Sequence, residues 1–205
     1  MNQPDNYMTA ATEAVVEIKI KGSRFIGQLY SCEDESRARE ILDGVRKKYY
    51  DATHNCYAWK VGIGKKVQFK YSDDGEPGGT AGKPIYDQID GAGLTDIIVI
   101  VTRYFGGTKL GTGGLTHAYS DCAADVIKAA GAVEKFITGR IKAVLDFADY
   151  NAVERAVHKA NAAIVQSEFS DKVGLIIEIR LSKLELLKGQ LIDITSGRIS
   201  IDQAL

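Results

Sequence analysis

"DIIVIVTRYFGGTKLGTGGLTHAYSD" (96–121) decides how the first half of the chain is read. Its opening, "DIIVIVT" (96–102), is a continuous apolar run bounded by polar residues. Such a run reads as a strand buried on both faces, in the centre of a sheet. Five glycines follow (Gly106, Gly107, Gly111, Gly113, Gly114), interleaved with Arg103 and Lys109. From 114 to 130 the apolar residues Leu115, Ala118, Tyr119, Cys122, Val126, Ile127 and Ala130 recur at helical spacing. A glycine-rich turn that opens a helix can hold an anion on its free N–H groups. The stretch is not the dinucleotide fingerprint, because counting from Gly111 and Gly113 puts Thr116 at the third glycine position. Two readings stand side by side: a binding loop, with Arg103 and Lys109 supplying charge, or a tight crossover packed against loop 72–84.

That other loop, "SDDGEPGGTAGKP" (72–84), contains a fragment similar to a P-loop. Pro77 stands where the first glycine belongs and Pro84 where a hydroxyl would hold magnesium, so the motif fails. Lys83 remains as a basic group there. Asp73, Asp74 and Glu76 could gather a hard cation through carboxylate oxygens. The simpler expectation is that they cap backbone N–H groups in a polar turn. No metal or other cofactor is expected.

Working outward, 13–20 and 24–31 read as strands joined by a turn at Lys21-Gly22-Ser23. A helix follows over 32–50, with acids at its start and bases at its end. Residues 55–61 and 67–71 read as a strand pair. Tyr57, Trp59 and Phe69 on them suit core packing better than base stacking. A short helix is expected after Pro84. Near Gly131 the pattern resets. Strand 136–147, helix 149–161, strands 163–169 and 173–181, helix 183–195 and strand 198–202 form a βαββαβ series, the order of a ferredoxin-like unit. The expected domains are 1–131 and 132–205, in an α+β chain.

The bulk numbers exclude several classes. The chain has 205 residues, 26 Lys+Arg against 27 Asp+Glu, and a net charge of −1. Bulk charge therefore demands neither nucleic acid nor membrane, although a local basic patch can still act. Three cysteines without a C-x-x-C spacing favour neither a disulfide framework nor a zinc site. The N-terminus has no basic start and no apolar run, so the expected compartment is the cytoplasm. His117 and Asp121, four residues apart, can pair on one helix face. No nucleophile is placed beside them by sequence.

"KGSRFIGQL", "DATHNCYAW", "SDDGEPGGTAGKP" and "LTDIIVIVTRYFGGTKLGTGGLTHAY" occur in this order. Together they resemble the Impact family in its bacterial, YigZ-type, two-domain form. The resemblance implies a ribosomal protein S5 domain 2-like first domain. It implies a ferredoxin-like second domain similar to the last domain of elongation factor G. Eukaryotic Impact proteins are similar in the first domain and regulate translation. The family brings no established catalytic activity. Two positions depart from the family pattern: Gly78 replaces a usual serine, and His117 a usual arginine. The functional expectation is a non-enzymatic, translation-associated binding protein that contacts RNA, the ribosome or a protein partner. Its surface would be Arg103, Lys109, Lys83, His117 and the glycines 106, 107, 111, 113 and 114. The alternatives are a magnesium-dependent phosphate-ligand enzyme and a protein-interaction module without nucleic acid.

Overall fold

The structure is a computed structural model that describes residues 5–204; the first four residues and Leu205 of the two expected domains lie outside the described residues. The fold is mixed α+β, with eleven strands and five α-helices among the described residues. It divides into two compact units. One is Tyr7–Lys135; the other runs from Phe136 onward and, among the described residues, includes Asp5 and Asn6.

The first unit is built on a five-stranded sheet in the order β2-β3-β6-β4-β5, antiparallel at every pairing. Its strands are β2 (Ala14–Ile20), β3 (Ser23–Ser31), β4 (His54–Val61), β5 (Gln68–Ser72) and β6 (Ile97–Tyr104). The apolar run is the central strand, β6, and every residue from Ile97 to Arg103 is buried. Its two faces feed two cores. Ile97, Val99 and Val101 pack with α2 (Gly82–Gly91) and α3 (Gly111–Ala130), while Ile98 and Ile100 pack with α1 (Glu35–Lys48). An antiparallel strand with helices over both faces has no side left for water, so its sequence does not alternate. Each fully buried Val, Leu or Ile contributes roughly 1.5–3 kcal/mol relative to exposure.

Local chemistry sets the helix ends. Asp34 caps α1, its carboxylate accepting the Arg37 N–H at 2.7 Å, and Arg46, Lys47 and Lys48 occupy the last turn. Ala38, Leu42 and Val45 form its buried stripe. Helix α3 ends at Gly131, whose φ of +65° carries the chain out of the helix and whose N–H bonds to the Ile127 and Lys128 carbonyls. The expected start at 114 is corrected to Gly111, so three of the five glycines lie in the first helical turn. Two strands were not foreseen. β1 (Asn6–Ala10) and β7 (Ala132–Phe136) form a separate two-stranded sheet. The expected strand 136–147 is β8 (Thr138–Leu145), with Phe136 the last residue of β7 and Phe147 the start of a short 3-10 turn.

The second unit holds β8, α4 (Tyr150–Lys159), β9 (Ala163–Phe169), β10 (Val173–Arg180), α5 (Leu184–Ile194) and β11 (Ser200–Ala204). The sheet order is β11-β8-β10-β9, antiparallel throughout. Ile141, Ala143 and Leu145 of β8 alternate inward and meet Val153 and Val157 of α4 and Leu184, Leu187 and Leu191 of α5. No helix among the described residues is long and apolar enough to cross a membrane.

Candidate functional site

The site is built where β6 ends. The Arg103 side chain shares its face of the sheet with Phe25 and His54, its register partners on the two neighbouring strands. Arg103 is only 5% exposed. Its Nη1 lies 2.6 Å from Glu76 Oε1 in the loop between β5 and α2. Tyr119 of α3 donates its hydroxyl to the same oxygen at 2.7 Å. One buried carboxylate thus joins a strand, a loop and a helix. Arg103 is flanked by the Phe25 and Phe105 rings, with its guanidinium carbon 5.4 and 5.6 Å from their centroids. Nη2 is 3.4 Å from Ser23 Oγ, at the long limit of a hydrogen bond. Nε has no partner, and it is the single buried side-chain nitrogen or oxygen in that condition among the described residues.

The surroundings keep the Tyr119 hydroxyl protonated. Burial first, then Cys56 and Glu76 beside it, push the Tyr119 hydroxyl far above the usual tyrosine range, so it remains a donor. Burial likewise pushes up the Cys56 thiol, which donates to the Asp73 carbonyl at 3.0 Å. His54 Nδ1 lies 2.8 Å from the Asp74 carbonyl, and its Nε2 is 3.9 Å from Glu76 Oε2.

The acids of loop 72–84 do not gather. The Asp73 carboxylate accepts the N–H groups of Gly79, Ala81 and Gly82, each at 2.9 Å. Burial alone would raise its pKa, but these three bonds outweigh burial and hold it below the usual carboxylate range. Asp74 accepts the Asn55 N–H at 2.7 Å and pairs with Arg46 at 2.6 Å. Glu76 faces Arg103. Among the described residues no group of three or more His, Cys, Asp or Glu could hold a metal. The turn-capping expectation describes Asp73, whereas Asp74 binds the N–H of Asn55 in β4.

The glycines divide by role. A Cβ at Gly106 would lie 1.9 Å from the Gly22 carbonyl carbon and 2.3 Å from Ser23 N, so backbone meets backbone there. At Gly106 the crossover therefore packs closely on the β2–β3 turn at Gly22. The Gly106 N–H donates to Ser23 Oγ at 3.1 Å, and the Phe105 N–H to Thr53 Oγ1 at 3.0 Å. Gly107, Gly111 and Gly113 meet nothing within 4 Å of an added Cβ, and at Gly114 that atom would meet Leu110 Cβ at 3.2 Å.

Beyond the ion pair a cleft of about 280 Å³ opens. Glu76, Pro77, Arg103, Phe105, Lys109, Gly111 and Thr112 are among the residues that line it. Loop 72–84 and the glycine-rich stretch thus share one concavity. Lys109 is exposed and has no ion pair among the described residues. Lys83 is not among the lining residues; it pairs with Asp87 one turn along α2. His117 is exposed on α3, and no hydrogen bond or ion pair joins it to Asp121. Trp59 is core as expected, whereas Phe69 is 52% exposed and packs against Tyr86 with ring centroids 4.6 Å apart. Sequence reading missed Ser23, Phe105 and Tyr119 as site residues. Tyr119 carried one signal, a hydroxyl in a buried helical stripe, which needs a partner.

Comparison with known proteins follows the same division. Residues 21–127 match the Impact N-terminal domain, and residues 144–198 match a domain of unknown function, DUF1949. The IMPACT family member YvyE of Bacillus subtilis (strain 168) is 30% identical over 97% of this chain and 91% of its own. The IMPACT family member YigZ of Escherichia coli (strain K12) is 30% identical over 96% of this chain and 97% of its own. A crystal structure of a hypothetical protein, 29% identical, superposes over 99% of both chains with a TM-score of 0.72. Two domains matched in order, and full-length relatives at this identity, lead to one conclusion: the chain belongs to the IMPACT family.

Proposed function

We propose that this protein is a non-enzymatic, translation-associated binding protein, and that the cleft end of its first unit is the contact surface. The observation that carries the proposal is the Glu76 junction. It fixes loop 72–84, the end of β6 and the first half of α3 around an open cleft whose free charge is the cation Lys109. A rigid scaffold that presents charged loops suits recognition. Membership of the Impact family supports the link to translation, which its eukaryotic members regulate. We read the first unit as S5 domain 2-like and the βαββαβ unit, with its β11-β8-β10-β9 order, as ferredoxin-like and similar to the last domain of elongation factor G. The test is co-sedimentation with ribosomal particles from the same source. Salt-sensitive co-migration, weakened by Lys109→Glu, is expected. No co-migration at low salt would overturn the proposal.

A second reading, a protein-interaction module, is favoured by α5. This helix is apolar on its inner face through Leu184, Leu187 and Leu191 and also outside, where Leu186 is 66% exposed and Ile194 41%. Exposed apolar side chains gathered on one helix suit a partner surface. Pull-down with Leu186→Glu as the control separates the readings: a protein partner lost with that change, and kept with Lys109→Glu, favours the second. The magnesium-enzyme reading loses its proposed ligands, since Asp73 and Asp74 are bound to backbone N–H groups and Glu76 to Arg103.

A further inference from the structure

We infer that the second unit binds an acidic amphipathic helix of a protein partner in the groove between α4 and α5. The inference rests on the second reading, that α5 faces a partner, and it names the shape and charge of that partner. The groove has a volume of about 480 Å³ and is lined by both helices. α4 contributes Ala156 and, three and four residues on, Lys159 and Ala160. α5 contributes Lys183, Leu186, Gln190 and Ile194, again at spacings of three and four. Each set is therefore one stripe of its helix. The α5 stripe runs the whole length of that helix, eleven residues or about 16 Å. The two alanines carry nothing beyond Cβ, so the groove stays open on the α4 side.

Shape gives the kind of occupant. Leu186 and Ile194 wall the groove and are largely in water, so apolar area is there to be covered. A channel between two helices admits the side-chain ridge of a third, with anchors at i, i+3, i+4 and i+7. A bilayer would instead meet a convex amphipathic face. Charge gives the partner's sign. β8 and β10 are antiparallel neighbours, and the helix after each packs on the same core. α4 and α5 therefore run antiparallel, and the last turn of α4 lies beside the start of α5. Lys159 and Lys183 thus stand at one end of the groove, and no acid lines it. Neither lysine has an ion pair among the described residues, whereas Arg140, Lys172, Lys188 and Arg198 of the same unit each face a carboxylate. Two free cations and no local acid are complementary to carboxylates on the partner. The same charge argues against a second copy of this chain, whose matching groove would bring two more lysines and no acid.

The experiment selects phage-displayed random peptides of about fourteen residues, roughly four helical turns, on the full chain, with Leu186→Ala as the counter-selection. Sequences with bulky apolar residues at helical spacing and Asp or Glu at one end are expected. The strongest binder, and a copy with its acids changed to Lys, are then titrated into the full chain while the methyl signals of Ala156, Ala160 and Leu186 are followed by NMR. Saturable shifts at these methyls are expected, with the lysine copy weaker by about tenfold, as two exposed ion pairs turn into two repulsions. Lys159→Glu with Lys183→Glu, on two exposed side chains, should reverse that preference. No enrichment over the counter-selection, binders without acids, equal affinity of the two copies, or shifts confined to other surfaces overturn the inference. Vesicles of phosphatidylcholine and phosphatidylglycerol that shift the three methyls where no peptide does would make this a lipid face. A dimer dissolved by Leu186→Ala in sedimentation velocity would make it a self-contact. Either result overturns the inference too. The pull-down is scored separately. A lysate partner lost with Leu186→Glu but kept with the Lys159 and Lys183 reversals would sink the acidic partner alone and leave the second reading standing. Acidic peptides held in the groove, with no lysate protein lost on Leu186→Glu, support the site and count against the second reading instead.

Discussion

Arg103 and Glu76, twenty-seven residues apart in the chain, form a 2.6 Å ion pair in which both side chains are almost entirely out of water. The pair joins a strand end to a loop, and Tyr119 ties the same carboxylate oxygen to a helix. Breaking one half leaves a buried charge without its partner. Glu76→Ala is expected to cost about 3–5 kcal/mol. The double change Glu76→Leu with Arg103→Met should cost clearly less than that, because no charge is left behind. Urea unfolding of the two variants and the parent checks this, and a Glu76→Ala loss below about 1 kcal/mol would contradict it.

Gly106 should tolerate no side chain. A methyl group there would sit within 2.3 Å of three backbone atoms of the Gly22–Ser23 turn, and none of them can move without moving β2 and β3. Gly106→Ala is predicted to destabilise by about 3 kcal/mol or more, the upper range for overpacking. Gly113→Ala, which meets open space inside the first turn of α3, should be neutral or stabilise by roughly 0.5–1 kcal/mol. Melting temperatures of the two variants give the comparison.

The three cysteines predict an alkaline limit. Burial, with the nearby acids, pushes the Cys32 and Cys122 thiols up to about 12 from an ordinary 9.0, and the Cys56 thiol also rises. In the unfolded chain they ionise near the ordinary value. The stability carried by the neutral thiols is therefore full below about pH 9 and is lost as pH rises toward the folded values. Urea midpoints should fall between pH 9 and 11. Folded protein should react slowly with a thiol reagent and quickly once unfolded. Rapid labelling of the native state would refute the assignment.

Asp73 predicts the acid side. Its carboxylate holds Gly79, Ala81 and Gly82 at the start of α2, and its pKa lies below the ordinary range despite burial. A depressed folded pKa means stability that is present at neutral pH and lost as pH falls through that folded value. Asp73→Ala should cost about 1–2 kcal/mol at pH 7, the usual cost of a lost cap. The variant should also show a shallower loss between pH 5 and 3 than the parent. Parallel slopes for the two proteins would argue against the assignment.

His117 provides a contrast, since its side chain is exposed and joined to nothing on its helix face. His117→Ala is expected to change stability by no more than about 0.5 kcal/mol. A larger shift in the urea midpoint would show a partner that the geometry lacks.

Much of the fold was legible because it is written in local periodicity. The run 97–101 announced a strand covered on both sides, and its alternate residues do feed two cores. The stripe Leu115, Ala118, Tyr119, Cys122, Val126 and Ala130 announced α3. Two features misled. Gly111, Gly113 and Gly114 have poor helix propensity, which hid the first turn of α3. Phe69 reads as a core aromatic, but β5 is an edge strand and its ring lies half in water against Tyr86.

For the candidate site, the chain alone marked the segments but not the partners. Arg103, Lys109 and the two glycine-rich stretches were visible as residue types whose backbone freedom and charge exceed what a plain turn needs. Only the tertiary structure decided that Arg103 turns inward to Glu76, that Gly106 meets Gly22, and that Lys109 alone keeps a free charge at the cleft. Periodicity acts between neighbours a few residues apart. These pairings span 27 and 84 residues, and they exist only because β3, β4 and β6 lie side by side in one sheet.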